Sequence, residues 1–159
     1  MSDNALIDEK GPAVKCPPPL LFIGFLLAGY GLELLSPLPI GLPEWGQLLG
    51  FTLVALAAVM LLILLITYLR AKTSIEPWKP TSHLITSGLY AWSRNPIYAA
   101  FCLINIGTGC YFNSFWMLLS FLPSALAVYL VAIRKEEAYL TLKFGDEYIA
   151  YKSKVRRWL

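Results

Sequence analysis

Charge is scarce in this chain of 159 residues: Asp, Glu, Lys and Arg together make up 14% of it, against roughly a quarter in soluble proteins. Hydrophobic residues reach 57%, and the mean hydropathy is +0.60. A soluble fold of this size cannot hide that much apolar surface, because small domains leave a large share of theirs exposed. Lipid is the expected solvent. Cysteine is scarce as well: Cys16, Cys102 and Cys110 have neither metal-ligand nor redox spacing, and an odd count in apolar surroundings reads as free thiols. No metal site is expected. No internal repeat is evident, and Gly107-Thr108-Gly109 follows no strand, so it is not a nucleotide loop. No small-residue cleavage site follows the first apolar run, and Lys15 beside Cys16 argues against a lipid-modified signal; that run is read as retained.

The apolar stretches divide the chain. Residues 1–15 are polar and mixed in charge and read as a short disordered cytoplasmic tail ahead of Pro17-Pro18-Pro19; residues 16–159 read as one membrane domain. A first span is expected over about 20–35, ended by Ser36-Pro37-Leu38-Pro39. A second, 46–69, is uncharged throughout and at about 1.5 Å per residue is long enough for a hydrocarbon core of about 30 Å. Residues 95–133 carry no charge and are too many for one helix; Gly107-Thr108-Gly109 and Asn113-Ser114 suggest a turn, giving spans of about 96–111 and 115–133, with Pro123 kinking the last. The expected class is all-α, a polytopic membrane protein with four transmembrane helices.

Basic residues set the topology. Lys10 and Lys15 precede the first span; Arg70, Lys72, Lys79 and Arg94 lie between the second and third; Arg134, Lys135, Lys143, Lys152, Lys154, Arg156 and Arg157 follow the fourth. These are all thirteen in the chain, so the other two loops have none. The positive-inside rule then places both termini in the cytoplasm, as an even number of spans requires. Neither the net charge of +3 nor the pI of about 8.8 signals nucleic acid, since the cations flank apolar runs. The last helix is expected to extend into the cytoplasm through Glu136, Glu137, Leu140 and Lys143 to a left-handed Gly145. Asp146 then caps a short amphipathic helix with Tyr148 and Tyr151 on one face. Lys152, Lys154, Arg156 and Arg157 suit anionic lipid, and Trp158 the interface.

The polar loop between the second and third spans is long and rich in aromatics, which favours function over disorder. Asn95-Pro96 reads as a helix start, with Asn as cap and Pro where its missing N–H costs nothing. Exposed amides there, with Arg94 alongside, favour an anion. On these residues alone a plain cap and an interfacial anchor explain as much.

The stretch Gly88-Leu89-Tyr90-Ala91-Trp92-Ser93-Arg94-Asn95-Pro96-Ile97-Tyr98 resembles the signature of the isoprenylcysteine carboxyl methyltransferase family: Gly, any, Tyr, three residues, Arg, His or Asn, Pro, any, Tyr. A second element of that family is matched by Glu136-Glu137, Leu140, Phe144-Gly145, Tyr148 and Tyr151, and the related phospholipid methyltransferases share both parts. The resemblance implies S-adenosylmethionine bound without a Rossmann domain, by residues within 73–151. Carried over by position, cofactor contacts fall on His83, Leu84, Ile85, Tyr90, Asn95, Pro96, Ile97, Tyr98 and Glu136. The family's His, where present, sits one position before His83, and Asn95 stands where the family commonly has His. A sulfonium is a soft cation that the faces of Tyr90, Trp92 and Tyr98 can attract. The family's Arg one turn before the first Glu, a contact of the acceptor carboxylate, is replaced by Ala132; Arg94 and Arg134 are the nearby cations for a substrate or electrostatic role.

The implied activity is methyl transfer to a lipophilic or prenylated acceptor, in first place carboxyl O-methylation, with phospholipid N-methylation the alternative. The expected home is a bacterial or archaeal plasma membrane, with membrane lipid as the other partner. An Arg134–Glu137 pair at i, i+3 is the plain structural use of those charges. Glu33, the one acid inside a span, is expected to reach the headgroups; a rival of another class makes it the ion-coupled site of a small four-helix transporter. A non-catalytic scaffold is the third option. Gly24, Ala28 and Gly29 are expected to ease helix packing.

Overall fold

The structure, a computed structural model, describes residues 11–14, 16–76 and 78–158; residues 1–10 and Lys15 of the expected disordered tail lie outside that set. The described residues form helices and loops, with an isolated β-bridge between Pro39 and Ser114 and no named strand. Helix α1 spans Pro18–Leu35, α2 Trp45–Ala71, α3 Pro96–Tyr111, α4 Phe115–Leu119, α5 Phe121–Val128, α6 Arg134–Phe144 and α7 Asp146–Lys154. A 3-10 turn covers Gly88–Ala91, and a wide π turn, Tyr129–Ile133, joins α5 to α6.

Three helical runs are long and apolar enough to cross a membrane: α1, α2 and the run Phe115–Phe144. At about 1.5 Å per residue the 27 residues of α2 reach about 40 Å, whereas the 16 of α3, also apolar, reach about 24 Å. Leu27, Leu34, Leu48, Phe51, Leu62 and Leu126 all turn outward. Water would penalise every one of these surfaces; lipid does not. The chain is an integral membrane protein.

It divides into two compact units of interleaved segments: Leu62–Pro96 and Tyr129–Leu159 with the segment ending at Pro17, and Pro18–Leu61 with Ile97–Val128. In the second unit α1 packs along α4 and α5. Asn105, only 1% exposed, donates from Nδ2 to Ser120 Oγ at 3.1 Å and Ser124 Oγ at 3.2 Å, tying α3 to the last span. With no water to compete, such side-chain bonds help hold helices together. Glu33 Oε2 accepts from Ser114 Oγ at 2.6 Å and from the Leu38 amide at 3.4 Å. Its carboxylate fixes the two loop ends.

The hairpin turn lies at the second of its two expected markers, between the expected spans 96–111 and 115–133. Gly107 and Gly109 of the first marker lie inside α3, and the chain reverses at Phe112–Ser114, where Asn113 takes a φ of +50°. The glycines serve close approach instead. A Cβ on Gly107 would come to 2.9 Å from the Gly50 carbonyl oxygen, and one on Gly109 would overlap the Leu118 backbone. Gly29 plays the packing role expected of it, 2.8 Å from the Trp116 oxygen to a hypothetical Cβ, but Gly24 meets nothing within 4 Å. Pro123 acts one turn upstream: lacking an N–H and crowding the Leu119 carbonyl, it accompanies a break at Ser120.

Candidate functional site

The first unit collects most of the residues singled out in the sequence. The loop after α2 enters its 3-10 turn through Gly88, whose φ of +63° suits a residue without Cβ. Tyr90 is then held at two points: its hydroxyl shares a 2.7 Å hydrogen bond with that of Tyr68 on α2, and its carbonyl accepts from Tyr151 Oη on α7 at 2.7 Å. Upstream, the Thr81 amide donates to Tyr139 Oη on α6 at 3.1 Å. Loop, α6 and α7 are thus laced together by tyrosine hydroxyls. Tyr148 and Tyr151 share a buried face of α7 with ring centroids 6.1 Å apart, as the spacing predicts.

Charge completes the join. Glu137 is the centre of an ion triad. Arg157 donates to both of its oxygens, Nε to Oε1 at 2.9 Å and Nη2 to Oε2 at 3.0 Å, and Arg94 Nη1 lies 3.1 Å from Oε1. The Arg94 and Glu137 side chains are 8% and 12% exposed. Burial pushes the Glu137 carboxyl up, but the Arg157 hydrogen bonds and the charges of Arg94, Arg157 and Lys152 outweigh it, and the net shift is downward. The Tyr148 hydroxyl moves upward, through burial first and the Glu137 charge second, with Arg94 opposing. The expected Arg134–Glu137 pair does not form, because Glu137 turns inward to two other arginines while Arg134 stays exposed at the start of α6.

Asn95 is buried at the head of α3. Its Nδ2 donates to the Arg157 carbonyl at 2.9 Å, and its own amide donates to Ser93 Oγ at 3.1 Å. The Arg94 amide is taken by the Arg156 carbonyl at 3.0 Å. The amides of Arg94 and Asn95 are therefore not available to an anion, and Pro96 has none. Anion-seeking donors remain on the guanidinium instead: Nε and Nη1 of Arg94 are buried and make no hydrogen bond among the described residues, Nη1 facing Glu137 at ion-pair distance only. Since a carbonyl only accepts, the Asn95 amide nitrogen must face Arg157, which leaves Oδ1 as its acceptor on the other side.

The other candidates fall as follows. His83 is exposed, and Leu84, Ile85 and Tyr90 are half-buried in the loop. Pro96 is buried, Glu136 is half-buried on α6, and Ile97 and Tyr98 open the part of α3 that belongs to the second unit, Tyr98 being buried. Ala132 is fully buried in the π turn, and Trp92 is 79% exposed. No group of His, Cys, Asp or Glu suited to a metal occurs among the described residues. Sequence reasoning missed Arg157, Ser93, Tyr68 and Tyr139. Arg157 looked like one more lipid-gripping cation, and nothing local marks a partner 20 residues upstream in Glu137 and another 62 upstream in Asn95.

Comparison with known proteins bears on this arrangement. A sequence model of the phospholipid methyltransferase family matches residues 45–147, well over half of the chain. The chain is 32% identical over 99 residues to a protein-S-isoprenylcysteine O-methyltransferase of Schizosaccharomyces pombe, covering 55% of this chain and 42% of that protein. It is 36% identical over 90 residues to a protein of the same name from Saccharomyces cerevisiae, covering 51% of this chain and 34% of that one. It thus spans less than half the length of these relatives. The solved structure of a eukaryotic intramembrane Ras methyltransferase, isoprenylcysteine carboxyl methyltransferase, superposes with a TM-score of 0.64 at 22% identity, over 88% of this chain and 50% of that one. The fold is shared, the Gly88–Tyr98 stretch lies inside the matched region, and the chain belongs to the phospholipid methyltransferase family.

Proposed function

We propose that this protein is a membrane methyltransferase that uses S-adenosylmethionine on a lipophilic acceptor, in first place the carboxylate of an isoprenylcysteine-like substrate. The carrying observation is that the loop holding Tyr90, Arg94 and Asn95 is fastened to α6 and α7 by the Arg94–Glu137 ion pair and the Tyr151–Tyr90 hydrogen bond. The two sequence elements that resemble the methyltransferase signature are therefore one piece of structure. Names of relatives support the same reading.

The residues present fit the cofactor. Arg94 Nε, a buried guanidinium donor without a partner among the described residues, suits a carboxylate such as the amino-acid end of S-adenosylmethionine. Asn95 Oδ1 is an acceptor for a hydroxyl or amine, Tyr90 supplies an aromatic face, and Glu136 is the carboxylate for a ribose or ammonium group. Ile97, Tyr98, Leu84, Ile85 and His83 are the remaining contacts in this proposal. When bound, S-adenosylmethionine supplies an electrophilic methyl on sulfur, whose C–S bond breaks as the new bond to the acceptor oxygen forms. An acceptor carboxylate is already ionised at neutral pH, so no general base is needed. The protein's contribution is alignment and charge placement. Arg134, exposed at the start of α6, is the available cation for the acceptor.

In this reading α3 is a fourth, shorter span, both termini are cytoplasmic, and the soluble cofactor meets the lipidic acceptor at the cytoplasmic face of a plasma membrane. A second reading, phospholipid N-methylation, is favoured by the family's own description and by Ala132, buried where the acceptor-binding Arg would stand. Radiolabelled cofactor separates the two: base-labile ester products mean carboxyl methylation, base-stable amines mean phospholipid. Absence of S-adenosylhomocysteine binding by calorimetry in detergent would overturn both.

A further inference from the structure

The C-terminal segment after α7 is fastened to three separate parts of the first unit. The Arg156 carbonyl accepts from the Arg94 amide at 3.0 Å. The Arg157 carbonyl accepts from Asn95 Nδ2 at 2.9 Å and from Ser93 Oγ at 3.4 Å. The Arg157 guanidinium grips both Glu137 oxygens, at 2.9 and 3.0 Å, and its carbon lies 5.1 Å from the centre of the Tyr129 ring in the π turn. One residue thus meets the signature loop with its backbone and α6 with its side chain. If it served only to coat anionic lipid, Arg157 would point outward; its side chain is instead 35% exposed and committed to Glu137.

We propose that Arg157 is a positioning residue: its backbone orients the Asn95 amide, and its side chain holds Glu137 so that Arg94 is presented to the ligand. The proposal rests on the reading of the preceding subsection and deepens it. Two physical consequences make it specific. With the Arg157 carbonyl in place, Asn95 is fixed with Oδ1 as its ligand-facing atom; without it the amide is free to rotate and offers either end. With the bidentate Arg157 grip, Glu137 spends its hydrogen-bonding capacity there and meets Arg94 Nη1 through one ion-pair contact, so Arg94 Nε stays uncommitted. Remove the Arg157 side chain, and Glu137 is free to turn both oxygens onto Arg94 in a fork that quenches it.

The test is calorimetric titration of the full chain in detergent with S-adenosylhomocysteine, measured well below each variant's melting temperature. Arg157→Ala is expected to weaken binding about tenfold or more while the helical circular dichroism is retained. Arg157→Lys, which keeps the charge and one donor to Glu137, should recover most of that loss. Asn95→Asp, which cannot donate to the Arg157 carbonyl, should weaken binding to a similar degree. A purely structural role lowers the melting temperature but leaves the affinity of the folded protein unchanged. Wild-type affinity in Arg157→Ala, with the native chain binding normally, overturns the proposal; failure of the native chain to bind overturns the functional reading instead. Should Arg157→Ala not fold, Arg157→Met, which keeps the length of the chain but has no donor for Glu137, and Asn95→Asp decide it: wild-type affinity in both refutes the positioning role.

Discussion

Replacing Glu137 by Gln keeps the shape of the side chain and removes its charge, which makes it the cleanest probe of the ion triad. The Arg94 side chain is 8% exposed and Glu137 is 12% exposed, so the substitution strands a buried guanidinium without its counter-charge. Removing one partner of a buried pair costs roughly 3–5 kcal/mol, and the residual exposure here argues for the lower end, about 3 kcal/mol. Arg157, at 35% exposed, adds little to that figure because it can turn to solvent. The sensitive assay is hydrogen exchange at the Arg94 amide, whose bond to the Arg156 carbonyl reports whether loop and C-terminus stay joined. A loss of about 3 kcal/mol in opening free energy accelerates exchange on the order of a hundredfold. Unchanged protection at Arg94 and Asn95 in Glu137→Gln would refute the reasoning. A second arm sharpens it: Arg94→Met combined with Glu137→Met removes both charges, and exchange should return toward the native rate, since apolar replacement of a whole buried pair is often neutral or stabilising.

Three further outcomes follow from the packing and the charges. Gly107→Ala forces a methyl to 2.9 Å from the Gly50 oxygen, and overpacking of this kind costs about 1–3 kcal/mol; thermal melts in detergent should show the loss, with Gly24→Ala near neutral beside it. Asn105→Ala removes the donor shared by Ser120 and Ser124, and interhelical bonds of this type average about 0.6 kcal/mol, so a melting shift of only a few degrees is expected. The Glu137 carboxyl sits below its ordinary value of 4.5, so its contribution is complete at neutral pH and is lost as pH falls below about 4.5. Melting temperature should be flat from pH 8 to about 6 as far as this group is concerned, drop under acid, and drop less in Glu137→Gln.

Much of the architecture was legible because lipid imposes long uncharged runs. The helices at 18–35, 45–71 and 96–111 follow the expected spans closely, since nothing but hydropathy and flanking Pro or Ser decides their ends. The turn between α3 and α4 falls where the expected spans leave it, but only one of its two markers makes it: glycine signals a turn by permitting positive φ, yet it equally permits two helix backbones to touch, and Gly107 and Gly109 do the second. Only Asn113, with its φ of +50°, does the first. At the site, the signature stretch marked a loop that is fastened to α6 and α7, but not the long-range bonds that fasten it. A cap is a local inference; the bond from Asn95 Nδ2 to the Arg157 carbonyl spans a separation that no periodicity reports. The π turn was invisible for a similar reason, since an extra residue in a helical turn leaves an apolar pattern such as Tyr129–Ile133 unchanged.

That π turn bears on which acceptor the enzyme of our proposal takes. Ala132 lies within it and is fully buried, so the position that holds an acceptor-binding Arg in the similar family cannot simply be refilled. Ala132→Arg would drive a guanidinium into a space with no carboxylate assigned to it, at a cost of several kcal/mol if it stayed buried and unpaired. Two outcomes then separate the acceptor classes. If the acceptor is a carboxylate, the exposed Arg134 is the nearest cation by sequence, and Arg134→Ala should raise the acceptor KM about tenfold with cofactor binding unchanged. If the acceptor is a phospholipid amine, a cation there is no help and Arg134→Ala should leave the acceptor KM within about twofold. Restored or improved ester formation in Ala132→Arg, in a protein that folds normally, would show the burial argument to be wrong, because the helix would have to re-register to bring that side chain out.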